Sequence, residues 1–146
     1  MNDVLEEVTS ETITKEHVVR RVDDWVARVN GLYDDVESWL SGSWHSDWRR
    51  TVVMDEKMMR NFDIGPREVP VLELISDEGG RASLEPRGLW IIGVNGRLDL
   101  LAGPKHFLIF DLAKNFSIPD WQIVDYHDRK ESKKFDKASL AAALAQ

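Results

Sequence analysis

Between Val18 and Trp39, apolar residues recur at positions 18, 22, 25, 29, 32, 36 and 39. Steps alternating between four and three trace a single stripe along an α-helix. Thr14 is placed to cap its start, Glu16 falls in the first turn, and Ile13 can staple onto Val18. Asn30-Gly31 interrupts the composition without breaking the register, so the pattern predicts one long, kinkable helix from about Lys15 to Leu40. Such a stripe serves either to cover a sheet of the same chain or to form a coiled-coil seam.

After Ser41-Gly42-Ser43 the period changes. Thr51–Arg60 reads as a strand that can turn helical at its end, Pro66 and Pro70 bracket a turn, and Val69–Ser76 reads as a second strand. Asp77-Glu78-Gly79-Gly80 is a hairpin turn into RASLEP. The stretch from Leu89 to Leu112 then reads as three consecutive antiparallel strands. Asn95-Gly96 fits a type I′ turn, in which both central residues need positive φ. That turn pairs Val94 with Arg97, Ile92 with Asp99 and Trp90 with Leu101. It makes one face apolar (Leu89, Ile91, Gly93, Leu98, Leu100, Ala102) and the other mixed (Trp90, Ile92, Val94, Leu101, Arg97, Asp99). Gly103-Pro104 turns the chain into His106–Leu112. A loop, AKNFSIPD, leads to a last strand, Trp121–His127. DRKESKKF reads as a solvated connector. Asp136 caps a short final helix, with Phe135 and Leu140 as its staple.

No stretch between the strands is long enough for a helical crossover, so the order is a meander. The expected fold is α+β. A long N-terminal helix packs on a curved antiparallel sheet of about five to six strands, and a short C-terminal helix closes it. Residues 1–12 form a frayed or flexible acidic lead-in, and 13–146 a single domain.

Composition narrows the function classes. The chain has 146 residues and a net charge of −7, which disfavours a general nucleic-acid binder and suits an acidic protein docking on a basic partner. It has no cysteine, hence no thiol nucleophile and no thiolate metal site. No apolar run is long enough to span a bilayer, and the N-terminus lacks the pattern of a secretory signal, so a cytoplasmic location is expected. Phosphate-loop, dinucleotide, zincin and nucleophile-elbow motifs are absent.

Two constellations carry chemistry. Trp44, His45, Asp47 and Trp48 sit beside Arg49 and Arg50 in WHSDWRR. This is either a binding loop, with His45 and Asp47 as acid–base groups in an enzymatic version, or a plug between helix and sheet. The second depends on strand register. If the strands around the 113–120 loop pair so that partners sum to 233, His106 faces His127 with Asp125 on the same face, a catalytic or metal-binding arrangement. No cofactor is expected.

Two readings follow. The first is a non-enzymatic interaction domain of inhibitor, immunity or adaptor type. It binds a protein or a second copy of itself through Trp44, His45, Asp47, Trp48, Trp90, Arg97 and Asp99. The second is a small-molecule binder or enzyme with a pocket in the curved sheet.

Overall fold

The computed structural model describes residues 13–91 and 93–145. The expected lead-in over 1–12 and the placement of Ile92 lie outside the described residues.

Helix α1 runs Lys15–Trp39. Thr14 adopts an extended backbone, and its hydroxyl accepts the His17 N–H at 3.2 Å. Val18, Val22, Trp25, Val29, Leu32 and Val36 are all buried. The stripe therefore covers the chain's own sheet and is no coiled-coil seam. Each such side chain contributes about 1.5–3 kcal/mol through apolar burial. The helix passes through Gly31 without a break. Asn30 folds its amide back onto the Val26 carbonyl (3.0 Å) and accepts from Arg49 (3.1 Å), so its polar group is satisfied inside the helix. Arg28 and Tyr33 are buried too, although they lie off the stripe.

Strands β1 (Trp44–Met54), β2 (Arg67–Ser76), β3 (Arg81–Ile91), β4 (Val94–Ala102), β5 (Lys105–Asp111), β6 (Trp121–Asp125) and β7 (Lys133–Lys134) form one antiparallel sheet. Its spatial order is the chain order, a meander of seven strands. A one-turn helix, α2 (Lys57–Asn61), links β1 to β2, and α3 (Lys137–Leu144) ends the fold. The strand count exceeds the expectation because part of the basic connector, Lys133–Lys134, pairs with β6, while RASLEP runs on unbroken into the Leu89 strand and lengthens β3 without adding to the count.

One core cluster gathers Val22, Trp25, Leu32 and Val36 from α1, Met59 from α2, Leu140 and Leu144 from α3, and Leu72, Leu84, Leu98 and Ile109 from the sheet. All three helices thus pack on the same face of the sheet. Asp136 and Ser139 form a reciprocal capping box at the start of α3, and Phe135 is buried just before it.

The central hairpin departs from its expected register. Ile91 pairs with Val94, so the chain reverses between these two residues, and Asn95-Gly96 lies inside β4. Trp90 faces Asn95 and Gly88 faces Arg97, in place of Trp90 with Leu101 and Val94 with Arg97. The physical reason is the helix above. A Cβ on Gly96 would come within 2.1 Å of Cζ3 of the buried Trp25 ring, so this position is bare to let the indole in. Asn95 is buried, accepts from Arg21 (3.2 Å) and donates to Asp111 (3.5 Å). Gly93, at φ +86°, supplies the turn instead. Leu89, Leu98, Leu100 and Ala102 join the core as expected, whereas Ile91, at the turn, is 37% exposed.

The loop between β5 and β6 is held by a buried ion pair. Asp111, fully buried, accepts from Arg28 (2.6 Å) and from the backbone N–H groups of Ala113 (2.9 Å) and Asp120 (2.8 Å). Arg28 also donates to Asp24 (2.5 Å) and to the Ser117 carbonyl. At the loop's base the Leu112 N–H meets the Asp120 carbonyl at 3.0 Å.

Candidate functional site

WHSDWRR is not a loop. It is the first half of β1, an eleven-residue strand that among the described residues pairs only with β2 and forms one edge of the sheet. Trp44 is partly buried against the core. His45 pairs with Asp77 (3.0 Å) and Asp47 with Arg81 (3.7 Å), each at the surface. A bulge between Ser46 and Trp48 offsets the strand there, and Trp48 is 56% exposed. His45 and Asp47 have separate partners and form no acid–base pair with each other.

Trp48 opens a row that crosses five strands. It faces Glu73, which faces Ser83, then Leu101, then His106. Directly opposed residues share a face, and these alternate with core residues such as Leu72, Leu84 and Leu100, so the row lies on the face without helices. An ion-pair ladder runs along this face. Arg50 holds Glu73 (2.6 Å) and reaches Glu85 (3.5 Å), while Arg87 bridges Glu85 (3.4 Å) to Asp99 (3.0 Å). Arg97 and His106 each meet Asp99 at 3.0 Å. The ring of His106 stacks nearly parallel on Tyr126, 4.2 Å between centroids. Leu108 and Val124 lie in register with Asp99, so the ladder is bordered by apolar side chains.

Asp99 is 3% exposed. Burial alone pushes its carboxyl up, but the hydrogen bonds from Arg97, His106 and Arg87 outweigh that and hold it below the ordinary carboxylate value. A carboxylate gripped by two guanidinium groups and an imidazole is a poor proton acceptor, and this arrangement favours rigidity over acid–base work. The sign for stability follows. The folded state binds a proton on Asp99 less readily than the unfolded chain, so its contribution is present at neutral pH and lost on acidification below about pH 4. In urea titrations between acid and neutral pH, Asp99→Asn should flatten that acid limb relative to the unsubstituted protein. Parallel profiles for the two would contradict the assignment.

The pair expected from His106 and His127 does not form. β5 and β6 pair with partners summing to 232, from Phe107 with Asp125 to Asp111 with Trp121, one residue off the symmetric register. His106 therefore adjoins Tyr126, whose N–H donates to the His106 carbonyl (3.0 Å). His127 lies edge-on to Tyr126, and Asp125 accepts the backbone N–H of His127. A slip of one residue sends alternate side chains to opposite faces, which separates these histidines. Among the described residues no group of three or more His, Asp or Glu side chains is placed to hold a metal ion.

Trp90 also moves from its expected face. It packs against the core, with the Arg21 guanidinium 5.7 Å from its ring, and its backbone N–H donates to the Glu56 carboxylate at 3.3 Å. Glu73, Glu85 and Arg87 complete the ladder and were not singled out by the sequence. Glu73 was visible as a single charge in the apolar run VPVLELIS, whereas Glu85 and Arg87 lie in the polar stretch RASLEPR and carried no such signal.

No helix of the described residues is long and apolar enough to cross a membrane. Comparison with protein-family models, with curated proteins and with solved structures finds no match to this chain.

Proposed function

We propose that this is a non-enzymatic protein-interaction domain of inhibitor, immunity or adaptor type, which docks through β1 and the adjoining helix-free face of the sheet. One observation carries the reading. Trp48 stands 56% exposed on an edge strand, beside a sheet face whose charges are already neutralised in pairs. Tryptophan is the residue most often decisive at protein interfaces. An unpaired strand edge is a template for another chain. The occupant is another protein or a second copy of this chain, and a cytoplasmic setting fits the absence of cysteine. The net charge of −7 disfavours nucleic acid.

The alternative is a small-molecule site. Its support is a cavity of about 200 Å³ at the ends of β1 and β3, lined by Trp25, Glu56 and Gly88. The indole N–H of Trp25 is buried and has no acceptor. This cavity is smaller than most ligand pockets, which run to about 300 Å³ and above, and the larger hollows, of about 480 and 530 Å³, lie wider open to solvent, so the interaction reading is preferred.

Trp48→Ser tests the choice. The side chain is mostly in water, so the thermal midpoint should move by no more than about 2 °C. Affinity for the associated protein should fall by about tenfold or more, read by sedimentation or calorimetry. Unchanged affinity would remove β1 as the docking element.

A further inference from the structure

We infer that the groove between α1 and the Leu112–Asp120 loop is a second docking surface, shaped for a basic amphipathic segment of a partner protein. The inference rests on the interaction reading and adds the chemistry of the partner. Ile118 is 88% exposed, the most exposed large apolar residue among those described. It does not sit on a loose loop. Arg28 and Asp111 pin the backbone beneath it from both sides, and Arg20 covers the neighbouring Phe116 ring at 4.2 Å. A rigidly presented apolar side chain binds without the cost of ordering it first.

The groove beside Ile118 has an apolar floor of Leu32, Pro119 and Trp121. Gly31 leaves the helix surface bare there, and a Cβ at that position would meet nothing within 4 Å. Asp24, Asp34 and Asp35 form the rim. Asp24 and Asp34 are matched by Arg28 and Arg49, while Asp35 has no ion-pair partner among the described residues. An apolar floor with an acidic rim, on a chain of net charge −7, selects an apolar anchor flanked by lysine or arginine.

The test uses the full chain and a synthetic amphipathic peptide, leucine on one helical face and lysine on the other, with a glutamate-for-lysine peptide as control. In amide NMR the lysine peptide should shift Gly31, Leu32, Ile118 and Trp121, and the glutamate peptide should not. Ile118→Ser should weaken binding by about tenfold while Trp48→Ser leaves it intact, so failure here is separable from failure at β1. Asp35→Asn should lower the salt dependence. Three results would overturn the inference: no saturable shifts, shifts centred on Trp48, or affinity indifferent to Ile118→Ser. A dimer of the chain itself that Ile118→Ser dissociates would also overturn it, by giving the groove to a second copy.

Discussion

Asp111→Ala should lower the unfolding free energy by about 3 kcal/mol. Asp111 is fully buried and its partner Arg28 is 5% exposed. Removing the carboxylate leaves a guanidinium in the interior and two backbone N–H groups, of Ala113 and Asp120, without their acceptor. Breaking a buried pair from one side costs about 3–5 kcal/mol. The lower end applies because Asp24 stays at 2.5 Å from Arg28. For a domain whose whole stability is on the order of 5–15 kcal/mol, that is a large share. Urea denaturation measures it. The double change Arg28→Met with Asp111→Leu should recover much of the loss, since it removes both charges at once. A single substitution costing under about 1 kcal/mol would mean that the pair is solvated and the loop is anchored some other way.

Gly96→Ala should cost about as much for a different reason. The new Cβ would lie 2.1 Å from Cζ3 and 2.6 Å from Cε3 and Cη2 of Trp25, a ring with no exposed surface and Trp121 beside it. Gly96 also sits at φ +100°, which strains any L side chain. Overpacking and backbone strain each cost about 1–3 kcal/mol. Gly31→Ala is the internal comparison. It lies mid-helix with free space around it, so alanine should stabilise by up to about 1 kcal/mol. Opposite signs at two Asn-Gly pairs in one chain, read by thermal denaturation, would confirm that neither is a turn. A neutral Gly96→Ala would contradict the packing of Trp25.

Those two dipeptides show where sequence reasoning reaches and where it stops. The long helix was legible because seven apolar residues hold one helical register through Gly31, and the burial of that stripe outweighs a poor local propensity. The meander was legible from short polar turns between apolar runs. Asn95-Gly96 carried the strongest local turn signal in the chain and is not a turn. A tertiary demand, room for the Trp25 ring, fixed glycine there, and nothing local distinguishes the two causes. The histidine pair failed for want of one residue of register across a loop, which alternation cannot supply. His106 and Asp99 were each visible as polar residues in apolar strands, but their contact at 3.0 Å depends on the pairing of β4 with β5. The Arg28–Asp111 pair joins residues 83 apart in the chain and had no sequence signal beyond an arginine on a helix.

The most direct test of the docking account is native mass spectrometry of the chain purified gently from its own cells, with Trp48→Ser alongside. The account predicts a complex with another protein or a dimer, whose share of the population falls clearly on the substitution. A bare monomer before any substitution, or a monomer carrying a small-molecule increment that Trp48→Ser leaves in place, would contradict it.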